Sequence, residues 1–330
     1  MPSSTPKVSI GLPVYNGEQF LESALNSLLS QTFGDFELII SDNASTDRTK
    51  EIAQSIAAKD SRVRYYRNLQ NIGLVPNFNR TAALAEGEYF MWAAHDDLWS
   101  QEYLERCVMA LDKDEQIVVA CTLVRDIDEN GSLTSSDCEY RRGTISLLEM
   151  GLDSERPSDR FKDLIRLEHL CEPVVGLIRA SVLKSTQLHP AYADGDRVLL
   201  AELGLRGRFH VVPEALFFHR EHKNRSVRLH PERYERAVWM DPTKRGKILL
   251  PHFRELLEFA RSVGSSGLPP RERLQCYRHL AGWTVRYRRR LFSNLTHAVY
   301  LFARSIVPAP VRRVAKKMLG LGSEKTTLCL

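Results

Sequence analysis

Two adjacent carboxylates, Asp96 and Asp97, follow an apolar run and lie within the segment WAAHDDLW. Like charges side by side at the edge of a hydrophobic core are costly unless a cation pairs with them. The pair therefore either caps a helix that would begin after Ser100 or binds a divalent metal ion. These residues alone allow both interpretations.

The surrounding pattern predicts the elements that position this pair. Five short β-rich runs predict strands over 8–12, 36–40, 63–66, 89–93 and 117–123. Helical spacing predicts helices over 18–30, up to about 58, over 78–85 and over 101–111. Further along, strands are predicted over 174–178, 209–212 and 216–218, and a helix over 197–205. The polar segment 125–165 supports no assignment.

A second carboxylate, Asp42, follows the predicted strand 36–40 within the polar segment SDNASTD. Small polar residues of this kind form turns and cap helices. Because strands alternate with helices, we expect βαβ units and a mostly parallel sheet. Ligands bind beyond the carboxyl ends of strands in such sheets, so Asp42 and Asp96 should share one edge.

Two carboxylate-bearing loops at one edge would form a polyanionic pocket. A hard divalent cation takes oxygen ligands and can bridge to a substrate diphosphate. The sequence contains neither GxGxxG nor GxxxxGK[ST], the loops that hold phosphates through backbone amides. Their absence favours the metal interpretation.

The composition is that of a globular protein of one large domain with an appendage, or of two domains. The chain has 330 residues, of which 43% are hydrophobic and 26% charged. Its six cysteines show no CxxC pairing, which favours reduced thiols over a zinc site or a disulfide framework. The N-terminus lacks a signal pattern, and no run approaches the roughly 20 apolar residues of a membrane span. These features predict a cytoplasmic location.

The net charge of +5 is unevenly distributed. Residues 271–320 contain twelve lysines and arginines and one acidic residue, Glu272. Trp283, Phe292 and neighbouring apolar residues interleave with these cations, as in a helix that lies in the interface of an anionic membrane. An ordinary helical subdomain with solvent-facing arginines is the alternative. Nucleic-acid binding has no recognition motif behind it.

Four motifs, in this order and spacing, resemble those of family-2 glycosyltransferases with the GT-A fold. They are VSIGLPVYN from Val8, SDNASTD from Ser41, Asn71-x-Gly73 and HDDLW from His95. The resemblance covers roughly residues 7–225. It implies an α/β fold, a three-layer α/β/α sandwich around a mostly parallel sheet, in a domain spanning 1–230. The basic, helical region 231–330 would be an extension to it.

The same resemblance implies a function. Members invert configuration as they move a sugar from a nucleotide-diphospho-sugar, here with a UDP-sugar favoured and GDP- or dTDP-sugars open, to a hydroxyl group. The acceptor would be a glycan or a lipid-linked glycan of the cell surface. That role makes a peripheral position at the inner face of the plasma membrane natural for the basic tail.

Roles for single residues follow from their positions in the motifs. Asp42 would contact the nucleotide base, and Asp96, with Asp97 beside it, would bind Mn²⁺ or Mg²⁺. Arg220-x-His222 resembles a late element in which the arginine contacts the diphosphate and the histidine completes the metal shell. Further nucleotide contacts are implied for Pro13, Tyr15, Asn16, Glu18, Asn71, Gly73, Asn79 and His95.

The catalytic base of the family lies in a late acidic pair, commonly Glu-Asp. The segment ADGDR at 193–197 occupies that place, with Asp196 aligned to the base and Asp194 as the alternative. The base would deprotonate the acceptor hydroxyl while that oxygen attacks the anomeric carbon from the far side, which inverts configuration. Both aspartates could instead simply begin the helix at Arg197.

Two departures from the family pattern keep other functions open. Ala94 stands where the family often has the first acid of Asp-x-Asp-Asp, and Gly195 stands at the glutamate. A degenerate domain that binds nucleotide, sugar or membrane without turnover is one alternative. A nucleotidyltransferase, which shares the layered sheet, is another, although PVYNG from Pro13 is not its usual Gly-rich phosphate loop.

Overall fold

The computed structural model describes residues 5–134, 144–192, 195–229 and 233–306, which form one eight-stranded sheet with helices on both faces. The strands are β1 Val8–Val14, β2 Phe36–Asp42, β3 Val63–Arg67, β4 Tyr89–Trp92, β5 Leu98–Trp99, β6 Ile117–Ile127, β7 Leu177–Arg179 and β8 Arg208–Arg220. The helices are α1 Leu21–Leu29, α2 Thr49–Ala57, α3 Leu74–Leu84, α4 Tyr103–Lys113, α5 Pro157–Arg166, α6 Ala180–Lys184, α7 Gly195–Arg206, α8 Ser226–Leu229, α9 Arg233–Met240, α10 Pro251–Ser265, α11 Pro270–Arg286 and α12 Arg288–Ile306. Short 3₁₀ helices cover Leu147–Glu149, Glu172–Val175 and Pro242–Lys244.

The sheet is mostly parallel, as predicted. Its strand order is β3-β2-β1-β4-β7-β6-β8-β5. β1, β2, β3 and β4 run in parallel, and so do β6 and β8. β7 is antiparallel to both β4 and β6, and β5 is antiparallel to β8. Six strands therefore point one way, and their carboxyl ends open on a single edge, where the candidate residues lie.

Both faces of the sheet are covered, which explains why its central strands are apolar runs rather than alternating patterns. Every residue of β1 is buried. Helices α1, α2 and α4 pack on one face. On the other face α3, α5 and α7 share a core with α10 and α11. In that core the ring of Phe259 lies edge-on to Phe161 and Trp283, at centroid distances of 6.1 and 5.8 Å.

This shared core bears on the division at residue 230. Helices α10 and α11 follow the predicted boundary, yet they bury Phe259 and Trp283 against helices that precede it. The boundary between domains 1–230 and 231–330 stays a prediction, whereas the predicted helical character of the later region is observed as far as Ile306.

Several element bounds differ from those predicted. Helix α3 begins at Leu74, directly after Gly73, whose φ of 93° suits glycine. The unassigned segment 125–165 contains most of α5, which starts at Pro157. The predicted strand 174–178 instead covers the end of a 3₁₀ helix, which ends at Val175, and the start of β7, which begins at Leu177. The predicted strands 209–212 and 216–218 are one strand, β8, because an irregular register against β6 absorbs the residues between them.

Candidate functional site

A cleft of about 1120 Å³ opens at the carboxyl edge of the sheet. Its floor comes from the loops after β1, β2, β4 and β8, which contribute Pro13, Tyr15, Asn16, Asn43, His95, Asp96 and His222. One wall comes from α8 and α9, which contribute Leu229, Tyr234, Val238 and Trp239. The loops therefore meet at one edge of the sheet, as predicted. The helices that follow β8 form the wall of the cleft above them.

Asp96 and His222 meet in this cleft. The Nε2 atom of His222 lies 2.8 Å from Asp96 Oδ2, and the imidazole packs against the ring of Phe20 at a centroid distance of 5.0 Å. Burial works to raise the pKa of Asp96, but nearby His95 and the hydrogen bond from His222 outweigh it, so the pKa lies below its ordinary value. Asp96 is therefore ionised at neutral pH and is 22% exposed to the cleft.

Asp97 points elsewhere. Its Oδ1 accepts a hydrogen bond of 2.9 Å from the backbone N–H of Arg220, and the residue is only 5% exposed. Burial and the charge of Asp96 raise the pKa of Asp97 to about 7. Within the described part of the chain, no side chain caps the start of α4, so the structure does not show the capping interpretation of the Asp96–Asp97 pair.

Arg220 was predicted to contact a diphosphate; that contact stays a prediction, and the structure shows the guanidinium bound to backbone carbonyls. Its Nε donates to the carbonyl of Asp96 at 2.7 Å, and Nη1 donates to the carbonyls of Asp128 and Glu129 at 3.1 Å each. The guanidinium also lies 4.8 Å from the ring centroid of Phe20, and the residue is buried. The cation is thus used to tie the acidic loop to the loop after β6, a role that local sequence does not reveal.

The donor atoms of these residues determine whether they fit a divalent metal ion. Among the described residues no group of three or more histidines, cysteines, aspartates or glutamates is arranged to hold a metal. Asp96 and His222 nevertheless offer an oxygen and a nitrogen side by side in the cleft. In the part of the chain that the structure describes, His222 Nδ1 is buried with no hydrogen-bond partner, so no second hydrogen bond fixes the orientation of the ring. Two protein ligands fit a hard cation whose other ligands are phosphate oxygens and water.

Asp42 is placed at the predicted edge but is fully buried. Its Oδ1 accepts from the backbone N–H of Ser45 at 2.8 Å. Its Oδ2 accepts from Tyr65 Oη at 2.8 Å and from Arg67 Nη1 at 2.6 Å. Asp42 does not line the cleft, so the carboxylate organises the turn after β2 instead of facing a ligand.

Asparagines line this part of the cleft in its place, and sequence reasoning missed two of them. Asn43 donates to Asn71 Oδ1 at 2.9 Å and to the Gly73 carbonyl at 3.1 Å. Asn77 donates to the backbone carbonyl of Ser41 at 2.8 Å. Asn43, Asn71 and Asn77 all line the cleft. The available signal was the clustering of four asparagines between residues 68 and 79, at positions 68, 71, 77 and 79.

The loop after β1 is held against the loop after β2. Asn16 has a left-handed backbone with φ 52°, and its Oδ1 accepts from the N–H of Thr46 at 2.8 Å. Glu18 accepts from the N–H of Arg48 at 3.0 Å. Asn16 and Glu18 therefore hold these two loops together. Asn16 also lines the cleft, beside Pro13 and the exposed side chain of Tyr15.

His95 also reaches the cleft because residue 17 is a glycine. A Cβ atom at Gly17 would lie 2.6 Å from the His95 ring, so a larger residue there would displace the imidazole. His95 lies beside Asp96 in sequence, and it contributes to the lowered pKa of that carboxyl. The predicted nucleotide contact of His95 stays a prediction.

Asp196 lies in the first turn of α7, with its side chain 38% exposed, and its Oδ1 contacts His189 Nε2. Asn79 donates to the His189 carbonyl at 2.9 Å and accepts from the His189 N–H at 3.1 Å. Asn79 thus binds the main chain of His189 and is not among the residues that line the cleft, and its nucleotide contact stays a prediction. The alternative base, Asp194, lies outside the described residues. Phe78, which does line the cleft, packs on His189 at 5.7 Å.

Part of the chain matches a known protein family. Residues 9–167 match the family described as Glycosyl transferase family 2. The chain is 37% identical over 130 residues to the putative glycosyltransferase EpsE of Bacillus subtilis strain 168, a match that covers 39% of this chain and 47% of EpsE. This chain therefore spans less than half of the length of that relative.

A longer match is to the GalNAc(5)-diNAcBac-PP-undecaprenol beta-1,3-glucosyltransferase of Campylobacter jejuni subsp. jejuni serotype O:2. It is 25% identical over 249 residues, which cover 74% of each chain. Among solved structures, S. aureus TarS 1-349 in complex with UDP-GlcNAc superposes with a TM-score of 0.60 at 18% identity, over 89% of this chain and 81% of TarS. The predicted GT-A fold is confirmed.

Proposed function

Because residues 9–167 belong to glycosyl transferase family 2, we propose that the chain transfers a sugar from a nucleotide-diphospho-sugar to a hydroxyl group and inverts the anomeric carbon. The contact between Asp96 and His222 carries this proposal. It sets a carboxylate oxygen and an imidazole nitrogen side by side on the floor of a cleft that could hold a nucleotide-sugar. Mn²⁺ or Mg²⁺ is the proposed cofactor, held by Asp96 and His222.

The donor would lie with its base among the asparagines and its diphosphate at Asp96. Asn43, Asn71 and Asn77 line one end of the cleft. The amides of Asn43 and Asn77 hold the surrounding loops in place, and exposed Asn71 can offer its amide N–H groups to the edge of a nucleobase. Tyr15 and Pro13 supply apolar surface beside them. A UDP-sugar is the favoured donor because of the family resemblance, with GDP- and dTDP-sugars as alternatives.

The proposed reaction is a single displacement. The acceptor oxygen forms a bond to the anomeric carbon, and the bond from that carbon to the phosphate oxygen breaks, its electron pair leaving with the nucleoside diphosphate. The hydroxyl proton passes to the carboxylate of Asp196. So weak a base suffices because the alcohol becomes strongly acidic as its oxygen bonds to the anomeric carbon. Asp194 is the alternative base. When bound, a divalent cation would neutralise the charge that develops on the departing diphosphate.

The acceptor is proposed to be a glycan or a lipid-linked glycan. The name of the Campylobacter relative includes an undecaprenol-linked substrate, which supports a lipid-linked acceptor. The wall formed by α8 and α9 offers Tyr234 and Trp239, both partly exposed, on the side of the cleft that the asparagines leave open. Aromatic faces of this kind suit sugar rings and apolar chains.

We further propose that α11 and α12 lie against an anionic membrane at the inner face of the plasma membrane. Phe292, Leu295 and Val299 are exposed and recur on one face of α12. Arg288 and Arg289 lie one turn before Phe292 on that same face, and residues 273–306 contain no acidic side chain. Apolar groups edged by cations suit a lipid interface.

Two findings limit the way in which the chain could contact a membrane. None of the helices in the described ranges is long and apolar enough to cross a membrane. The further basic residues Arg312, Arg313, Lys316 and Lys317 lie outside those ranges. Contact would therefore be lateral, along α11 and α12, in the part of the chain that the structure describes.

Calorimetric titration of UDP, GDP and dTDP, first with Mn²⁺ and then with EDTA, tests the proposed function. We expect one nucleotide to bind with manganese and to lose affinity when EDTA removes it. Turnover is then followed as release of nucleoside diphosphate from the matching nucleotide-sugar. Binding without release over a range of acceptors would support the degenerate domain. Failure of every nucleotide to bind would refute a nucleotide-sugar enzyme.

A further inference from the structure

We propose that His189 is a positioning residue for the base: as an imidazolium it holds the Asp196 carboxylate in place and keeps it ionised in mildly acidic solution. This inference rests on the proposed function in so far as it takes Asp196 to be the base. It extends that function by adding a residue that belongs to none of the four motifs and lies seven positions before the aspartate.

The hydrogen bonds of the ring indicate its charge. Nε2 of His189 contacts Asp196 Oδ1, and Nδ1 lies 3.3 Å from the carbonyl oxygen of Pro190. A backbone carbonyl and an ionised carboxylate can only accept hydrogen bonds, so each ring nitrogen needs its own proton. An imidazole with both nitrogens protonated carries a positive charge, and here that charge directly faces Asp196.

The backbone around His189 is fixed independently of this pair. Asn79 binds both the N–H and the carbonyl of His189, from a position 110 residues earlier in the chain. The rings of Phe78 and Trp92 pack on the imidazole at centroid distances of 5.7 and 6.4 Å. Leu188, directly before it, has a left-handed backbone with φ 58°, which a branched side chain rarely adopts. Such strain persists only where the surroundings dictate the conformation.

The same turn explains why a glycine stands where the family has a glutamate. A Cβ atom at Gly195 would lie 2.5 Å from the Pro190 carbonyl oxygen, so any side chain would require this loop to move. The loop that carries His189 thus occupies the space next to Asp196. A charged neighbour to the base is retained, but it is now a cation from the loop before α7.

Each member of the pair shifts the pKa of the other in the direction that favours its charged form. Burial works to lower the pKa of His189, but Asp196 outweighs it and the pKa is raised. Burial likewise works to raise the pKa of Asp196, but His189 outweighs it and the pKa is lowered. Among the described residues, each is the only titratable group with an appreciable influence on the pKa of the other. Phe78 and Trp92, which pack on the ring, and Asn79, which binds the backbone of His189, are uncharged.

Titration of the histidine ring by NMR tests the pair without any assay of activity. The resonance of His189, assigned by its loss in His189→Gln, should titrate above its ordinary pKa in the wild-type chain. In Asp196→Asn, a change at a partly exposed side chain, its pKa should fall by about one unit or more. Exposed His210, on β8, serves as the folding control, and its resonance at neutral pH should have the same chemical shift in both proteins. An unchanged titration of His189 in Asp196→Asn would overturn the inference.

The pH profile of turnover then separates this inference from the proposed function. Asp196→Asn should abolish nucleotide release while donor binding is kept; full activity would remove Asp196 as the base, whatever the NMR result. If Asp196 is essential, His189→Gln should move the acid limb of the kcat/KM profile to higher pH by about one unit. The donor KM should stay within twofold, and His210→Gln should behave as wild type. An unmoved acid limb would leave His189 a purely structural residue.

Discussion

The Nε2 atom of His222 lies 2.8 Å from Asp96 Oδ2, although 126 residues separate the two in sequence. Asp96 comes from the loop after β4 and His222 from the loop after β8, at the carboxyl ends of strands that point the same way. The family match ends at residue 167, so only Asp96 lies within it. The candidate metal site therefore joins a residue within the matched region to one that follows it in the chain.

Replacing Asp96 by asparagine should remove metal-dependent donor binding. The change keeps the shape of the side chain but removes the charge that a hard cation needs, so the affinity for UDP with Mn²⁺ should fall at least about tenfold. Calorimetry measures it. Asp153→Asn, at an exposed site away from the cleft, is the matched control. Equal affinity in Asp96→Asn and the control would exclude Asp96 as a ligand.

We expect Asp42 to contribute more to the free energy of unfolding than to the affinity for the donor. Asp42→Asn weakens buried hydrogen bonds to Ser45, Tyr65 and Arg67, and should lower the free energy of unfolding by about 1–3 kcal/mol in urea titrations. Asp60→Asn breaks a more exposed ion pair with Arg62 and should cost less, about 0–1 kcal/mol. A donor affinity that collapsed in a fully stable Asp42→Asn would instead restore the predicted base contact.

His169 should make the protein sensitive to mild acid. Burial, aided by nearby Arg197, lowers its pKa to about 4, below the ordinary value of 6.5. Between these two pH values the unfolded chain binds a proton at this residue and the folded chain does not. The free energy of unfolding therefore falls as pH drops from about 6.5 toward 4. This residue should contribute about 2 kcal/mol to the loss between pH 7.5 and 5.

Urea unfolding of His169→Gln at these two pH values checks that prediction. The variant should lose less stability than the wild type on acidification, even if it is less stable at pH 7.5. His210→Gln changes an exposed histidine and should follow the wild type at both values. Parallel losses in all three proteins would show that His169 does not govern the acid response.

Membrane contact should depend on the arginines at the start of α12. Arg288→Ser combined with Arg289→Ser should weaken binding to vesicles of phosphatidylcholine with phosphatidylserine by about 30-fold, from about 1 kcal/mol for each cation. Co-sedimentation measures it. Lys50→Ser with Lys59→Ser removes two exposed cations on and after α2 and should leave binding unchanged. Equal loss in both double variants would indicate a general charge effect instead of this surface.

The sequence allowed the sheet and its functional edge to be predicted, because buried parallel strands are continuous apolar runs that end in polar loops. Asp96 and His222 were both expected near the metal, and the structure brings them into contact. Arg220, by contrast, could not be placed from its motif. Its role depends on where the carbonyls of Asp128 and Glu129 fall, and those belong to a segment with no predicted structure.

Long-range pairing of side chains was also beyond reach. Asn79 and His189 are 110 residues apart, and nothing in either local sequence signals that one binds the main chain of the other. The continuity of β8 was missed because Pro213 and Glu214 resemble a strand terminator, whereas a register shift against β6 accommodates them. Each of these features is set by a partner that the chain reaches only after folding.

The position of β8 between β6 and β5 has a consequence for synthesis of the chain on the ribosome. Asp96 emerges first, and at about 5–20 residues per second the 126 residues that lead to His222 take about 6–25 s more. During that interval one edge of β6 has no strand beside it, and the carboxylate lacks its imidazole partner. A nascent or truncated chain that ends before β8 would therefore present an open sheet edge, to which chaperones could bind, and only one of the two residues of the candidate metal site. Competence to bind the donor would appear late, as a single event, when β8 closes the sheet.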